Sequence, residues 1–295
     1  MMTKYPYFPG CSLKAHAKHF ETSAIASLEA LNVELVELPR WNCCGVVASL
    51  ATDDLMRQLA PVRVLVRAQS LGRELGENGL IAPCAMCYAT LKLANEFVKD
   101  KEKLETINLF MDQEEDYTGG VEVIHILQLL KDIGYGEVKK RVKKPLSGLS
   151  VAPYYGCYLL RPEEVAIDNR EDPKIMEELL LSLGADAVSD PYRIECCGSY
   201  HTAGKKDVVV DLCHTIIESA RRRGAEALAL ACPLCQFNLD SRQKEVGEKY
   251  YDFRPMPIFY ITQLLAMAFG LPRECWGLDG HYVDPISLLK RKGVI

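Results

Sequence analysis

The chain has 295 residues, 48% hydrophobic and 25% charged, with a formal net charge of −5 and a pI near 5.8. That length and apolar content suffice for two globular domains with substantial cores. The mildly acidic balance excludes any global attraction to nucleic acid or anionic lipid. The first twenty residues lack the apolar run of a secretory leader, and no stretch approaches the length of an uncharged membrane span, so a soluble, cytoplasmic protein is expected.

In chain order, short apolar runs bounded by turn formers predict strands over Tyr5–Phe8, Glu34–Leu38, Gly79–Ala82, Leu149–Tyr154, Ala227–Ala231 and Met256–Tyr260. Apolar residues three or four apart predict helices over Ser23–Leu31, Asp54–Leu75, Ala85–Val98, Lys174–Leu183, Asp207–Arg222 and Leu234–Glu248. Between the halves, Gly134-Tyr-Gly136, the basic run from Lys139 to Lys144 and Pro145-Leu-Ser-Gly148 read as a solvated linker. Strand alternating with helix predicts an α/β fold of two homologous Rossmann-like halves with parallel sheets, residues 1–145 and 146–295.

The two halves are an internal repeat. Each carries a lone cysteine, then Cys-Cys-Gly, then Cys-x-x-Cys: Cys11, Cys43, Cys44, Cys84 and Cys87 in the first, Cys157, Cys196, Cys197, Cys232 and Cys235 in the second. The match extends beyond cysteine, because His125-Ile-Leu-Gln128-Leu-Leu130 resembles Tyr260-Ile-Thr-Gln263-Leu-Leu265. Cys11, Cys84, Cys157 and Cys232 each fall near the carboxyl end of a predicted strand, where open parallel sheets bind their ligands. Gly10, Gly45, Gly156 and Gly198 flank the cysteines and suit tight turns or a close approach to a bulky group.

A Cys-x-x-Cys at a helix start could serve zinc, a redox dithiol or an iron-sulfur cluster. A dithiol needs no further cysteine and tetrahedral zinc takes four, whereas each half offers five. The favoured cofactor is therefore iron-sulfur, with the surplus thiolate suggesting an opened cluster.

The ten cysteines in this order closely resemble the cysteine-rich CCG domain family, and the whole chain resembles the B-type subunit of heterodisulfide reductase. That resemblance implies that the two five-cysteine sets are cofactor- and metal-binding and hold two non-cubane 4Fe-4S clusters facing one another, with zinc replacing iron in one half as a variant. It implies reduction of a disulfide, the coenzyme M–coenzyme B heterodisulfide of methanogenesis or an analogous one, to two thiols. Electrons would come from the C-type iron-sulfur subunit of heterodisulfide reductase, within an assembly that includes the A-type, flavin-containing protein. Neither nucleic acid nor membrane insertion is implied. Alternatives are an electron-transfer subunit of a lactate- or glycolate-type oxidation complex, and a zinc or iron-sulfur scaffold without disulfide chemistry. The 39 residues between Cys44 and Cys84 exceed the usual family spacing, which bears on that loop.

Outside the motif, Cys213 sits on an apolar helical face and Cys275 beside Trp276, both expected to pack structurally. His201 follows Cys197-Gly-Ser-Tyr200 and is the one histidine positioned to donate a proton to a departing thiolate. Lys14, Lys18, Arg40, Arg161, Lys205 and Lys206 flank the cysteines as cations that could meet an anionic substrate or merely solvate the surface.

Overall fold

The computed structural model describes residues 2–46 and 55–295. The predicted helix over 54–75 begins on Asp54, outside the described residues.

Two four-stranded sheets, all of their pairings parallel, form one in each half. In the first, β1 (Thr3–Tyr7) leads through α1 (Gly10–Ala15) and α2 (Lys18–Ala30) to β2 (Val33–Glu37). The chain continues through α3 (Leu59–Leu75), β3 (Gly79–Ile81), α4 (Ala85–Phe97), α5 (Lys101–Phe110), β4 (Glu122–Ile124), α6 (Ile126–Ile133) and α7 (Tyr135–Arg141). The strand order is β2-β1-β3-β4, and β1 pairs with β2 from Thr3 opposite Val33 to Tyr7 opposite Glu37.

The second half repeats the plan with β5 (Ser150–Pro153), α8 (Ile175–Ser182), β6 (Asp186–Ala187), α9 (Lys206–Arg222), β7 (Ala227–Leu230), α10 (Pro233–Gln236), α11 (Gln243–Lys249), β8 (Ile258–Tyr260), α12 (Ile261–Ala268) and a terminal α13 (Ile286–Arg291). Its order, β6-β5-β7-β8, matches the first. In such doubly wound sheets the chain winds one way from β1 and the other way from β3, so the crevice between their carboxyl ends is the natural ligand site.

Three departures from the sequence expectations have physical causes. The two short strands β4 and β6 are absent from the predicted set, since two or three residues display no periodicity. The predicted linker is helical over Tyr135–Arg141: Val138 is fully buried, Glu137 lies in the first turn, and Lys139, Lys140 and Arg141 complete the last turn where cations complement the helix dipole. The helix expected over 234–248 is broken, with a π-turn over Phe237–Ser241 between α10 and α11.

The halves dock reciprocally. Helix α2 of the first packs on α12 of the second, where Ser23 Oγ lies 2.7 Å from Thr262 Oγ1, Ser27 Oγ donates to the Thr262 carbonyl at 3.1 Å, and Phe20 stacks on Tyr260 with ring centroids 4.2 Å apart. By repeat position α8 corresponds to α2 and α6 to α12, and α8 packs on α6 and α7. The Tyr88 hydroxyl adds a bridge to the Val165 carbonyl at 2.9 Å. A pseudo-twofold axis therefore relates the halves, and the apolar face that each presents is buried by the other.

Candidate functional site

The cysteines fall at the switch point of each sheet. Cys11 opens α1 just beyond β1, and Cys84, in extended conformation, precedes α4 just beyond β3. Cys157 and Cys232 take the same places beyond β5 and β7. All twelve cysteines are free thiols.

In the first half Cys11 Sγ lies 3.8 Å from Cys43 Sγ, and Cys44 Sγ lies 3.4 Å from Cys87 Sγ. In the second, Cys197 Sγ lies 3.4 Å from Cys235 Sγ, and the Gly198 N–H donates to Cys196 Sγ at 3.3 Å. The two sets neighbour one another, because the Cys84 and Cys232 thiols bear on each other's proton affinity across the interface. Gly10 and Gly156, both at φ near +70°, make room for this packing. A Cβ on Gly10 would stand 3.0 Å from Cys87 Sγ, and one on Gly156 3.3 Å from Cys235 Sγ.

Close packing makes the thiols share charge. Cys44 is driven down to about 4 by hydrogen bonds from Cys43 and then Cys87, while Cys43, donating to Cys44, is pushed up. Cys196 is lowered to about 6, first by Cys157 and further by the Gly198 and Ser199 N–H groups and the His201 charge, and Cys157 is raised. Cys232 is held low by Cys235 and Cys84, whose own values rise. The lowered thiols shed protons readily to a soft metal, and sulfurs gathered in close pairs fit a thiolate-bound group rather than an oxygen-seeking ion. Thiolates around one tetrahedral zinc would lie about 3.8 Å apart on every edge. Among the described residues no three His, Cys, Asp or Glu side chains gather around a single-ion position, and the sulfurs instead form chains of close pairs.

The halves differ at their outer cysteines. Cys11 and Cys43 are exposed, whereas Cys157 and Cys196 are half-buried, and the hydroxyls of Tyr158 and Tyr200, which adjoin the second-half motifs in sequence, lie 3.3 Å apart. The sequence motifs do not single out Tyr158 and Tyr200, although both stand within them, next to Cys157 and in Cys197-Gly-Ser-Tyr200. His201 is exposed at the end of the short turn Ser199–His201 that follows the Cys pair. Asn238, turned inward by the π-turn, donates to the Cys197 carbonyl at 3.0 Å.

Most flanking cations are engaged elsewhere. Lys14 pairs with Glu21 and Glu37, Arg40 with Glu114, Arg161 with Glu171 and Lys206 with Glu245, while Lys18 and Lys205 are exposed. Cys213 is buried with its thiol on the Asn238 carbonyl at 3.4 Å, and Cys275 is partly exposed. A cleft of about 630 Å³ runs between the halves, walled by Ser12 of α1, His16 just past its end, Leu234 and Phe237 after Cys232, and His281 and Tyr282 near the C-terminus.

Residues 5–92 and 151–240 each match the cysteine-rich domain family, CCG. The chain is 30% identical to the 8-methylmenaquinol:fumarate reductase membrane anchor subunit of Wolinella succinogenes, over 98% of this chain and 100% of that one. It is 27% identical to the B-type subunit of the ferredoxin/F(420)H(2)-dependent CoB-CoM heterodisulfide reductase of Methanosarcina acetivorans, over 98% and 97%. A solved structure of a hypothetical protein from Helicobacter pylori shares the fold at TM-score 0.73 and 14% identity, and the match covers 95% of this chain and about half, 52%, of that one. No helix among the described residues is long and apolar enough to cross a membrane. With the repeated cysteine motif, the duplicated sheet and these relatives together, the chain belongs to the CCG cysteine-rich domain family, in the group of the B-type subunits of heterodisulfide reductase.

Proposed function

We propose that this chain is the disulfide-reducing subunit of a heterodisulfide reductase-type complex, converting the coenzyme M–coenzyme B heterodisulfide or an analogous disulfide to two thiols. The observation that carries the reading is the placement of two equivalent five-cysteine sets at the carboxyl ends of two matching parallel sheets, with Cys84 of one and Cys232 of the other near enough to bear on each other's proton affinity. In this reading residues 1–145 and 146–295 are the two CCG domains. Cys11, Cys43, Cys44, Cys84 and Cys87 hold one non-cubane 4Fe-4S cluster, and Cys157, Cys196, Cys197, Cys232 and Cys235 the other. Bound there, two such clusters supply one electron each to a substrate that needs two.

The chain's own residues position and protect that chemistry. Gly10 and Gly156 keep side chains away from the inner sulfurs, and Asn238 fixes the Cys197 backbone. His201, in the exposed turn that follows Cys196 and Cys197, would donate a proton to a product thiolate. Electrons come from a C-type iron-sulfur subunit and, through it, an A-type protein that contains flavin, in the cytoplasm.

Anaerobic purification with iron, sulfide and zinc analysis is the first test, with about four irons per half expected. Adding a reduced donor and the coenzyme M–coenzyme B heterodisulfide should then release free thiols. One zinc per half without sulfide, or intact clusters that release no thiol from any disulfide, would overturn the reading. The 30% identity to the fumarate reductase anchor subunit favours a second reading, an electron-transfer subunit of a quinol-linked reductase. That alternative predicts clusters reduced by a quinol with no thiol produced.

A further inference from the structure

The π-turn after Cys235 brings one amide to the second set of sulfurs. Asn238 is fully buried and donates from Nδ2 to the Cys197 carbonyl at 3.0 Å, and the same nitrogen lies 3.8 Å from Cys197 Sγ, within reach of a hydrogen bond to the larger sulfur atom. The direction of that amide is set by a chain of donors. Arg242 can only donate, and its Nη2 gives to the Thr202 carbonyl at 3.2 Å and to Thr202 Oγ1 at 3.1 Å. The Thr202 hydroxyl therefore passes its own hydrogen to Asn238 Oδ1, at 2.8 Å, and the NH2 of Asn238 faces Cys197. Arg242 is itself held by Glu245 at 3.0 Å and lies over the Phe237 ring, 5.5 Å from its centroid.

The first half has no counterpart to this amide. Thr90 follows Cys87 by three residues as Asn238 follows Cys235, but its hydroxyl donates to the Met86 carbonyl at 2.8 Å, back into its own helix. Among the described residues no amide side chain bonds Cys44 Sγ, which lies against Cys87 Sγ at 3.4 Å. The halves also differ in their access to solvent, since Cys11 and Cys43 are exposed and Cys157 and Cys196 half-buried. Water stabilises added negative charge in an open set, whereas an enclosed set needs a fixed dipole for the same purpose.

We propose that Asn238, oriented by Thr202 and Arg242, donates a hydrogen bond to Cys197 Sγ that raises the reduction potential of the group the second cysteine set holds, offsetting the loss of solvent there. Asn238 is thus a positioning residue that acts through Cys197. The inference rests on the iron-sulfur reading for the group and on the disulfide-reducing reading for its purpose. An electron from the iron-sulfur donor adds one negative charge to a thiolate-bound group without making or breaking a covalent bond, and an N–H aimed at a ligand sulfur favours the reduced state. Burial that lowered only the second set would leave it unreduced when the first was full. One disulfide takes two electrons, so one donor must be able to load both sets.

The test is a potentiometric titration of the anaerobically purified, iron-loaded full-length chain, followed by electron paramagnetic resonance. Asn238→Thr installs the first-half residue and should lower the potential of one of the two iron-sulfur signals. At a fixed potential its reduced-to-oxidised ratio should fall about fivefold, a shift of roughly 40 mV at about 59 mV per tenfold for one electron. The other signal should not move. Thr202→Val leaves the amide in place without its anchor and should shift the same signal in the same direction by less, which decides the matter if the Asn238 variant loses iron. Unmoved signals, a shift of both together or a rise would overturn the inference, as would zinc in place of iron, which ends the iron-sulfur reading with it. If the single shift appears while the native chain releases no thiol from any disulfide, the inference holds and the disulfide-reducing reading alone fails.

Discussion

The two halves share what is needed to place sulfur and differ in what surrounds it. Both have the same strand order, the same five cysteines and a positive-φ glycine against the second cysteine of Cys-x-x-Cys. In the first half that motif starts an unbroken 13-residue helix, and its outer cysteines stand open to solvent. In the second the helix breaks after four residues, the π-turn carries Asn238 and Asp240 inward, and the outer cysteines are half-buried. A π-turn costs helical regularity and tends to persist where a side chain must be re-aimed at a site. Repetition therefore built the sulfur cages, and divergence assigned the polar and protic groups to the second half and to the interface.

The sharpest way to break this comparison is to open one cage at a time. Cys44→Ser and Cys197→Ser should each remove about half of the bound iron and leave the other half loaded, since each set folds on its own sheet. If either variant empties both, the two sets load as one unit across the interface. Iron and sulfide per chain decide it.

Acid stability probes the interface histidines. His19 and His281 are lowered to about 4 by burial, against an unfolded value near 6.5. The folded state binds fewer protons, so their contribution is complete above pH 6.5 and is lost as pH falls toward 4, about 3 kcal/mol for each. Asp240, raised to about 6 by burial, works in the opposite direction: it costs stability above pH 6, and the cost fades as pH falls toward 4. Two histidines against one carboxyl leave a net loss on acidification. His281→Gln should reduce the slope of unfolding free energy against pH by about one proton in this window, measured by urea denaturation.

The glycine pair should show graded damage. Gly10→Ala combines a left-handed backbone with a 3.0 Å contact to Cys87 Sγ and should cost about 2–3 kcal/mol. Gly156→Ala, at 3.3 Å from Cys235 Sγ, should cost about 1–2 kcal/mol. Equal losses, read as shifts in the urea midpoint, would mean that the two cages are equally tight.

A matched pair of tyrosines gives the smallest difference. The Tyr155 hydroxyl donates to Glu177 at 2.5 Å and accepts from the Met176 N–H at 2.7 Å, while the Tyr7 hydroxyl donates only to Glu21, at 3.0 Å. Phe at 155 should cost about 2 kcal/mol and Phe at 7 about 1 kcal/mol, measured in the same denaturation experiment.

Much of this was legible in the residues. The repeat, the α/β alternation and the location of cysteines at strand ends follow from local patterns, because side-chain period and turn chemistry act over a few positions. The two short strands escaped because their two or three residues carry no period, and α7 escaped because its basic residues mask the single apolar anchor, Val138. The tyrosine pair needed Tyr158 and Tyr200, 42 residues apart, to be brought together.

By itself, then, the sequence determined that there would be two equivalent five-cysteine sets on two related sheets, since thiol count, spacing and hydrophobic period are local properties. The packing of α2 on α12, the bearing of Cys84 and Cys232 on one another across the interface, and the meeting of His19 from one half with His281 from the other were settled by the tertiary fold. These contacts join residues more than a hundred positions apart, so they depend on which buried faces fit one another, and no short-range pattern encodes that fit.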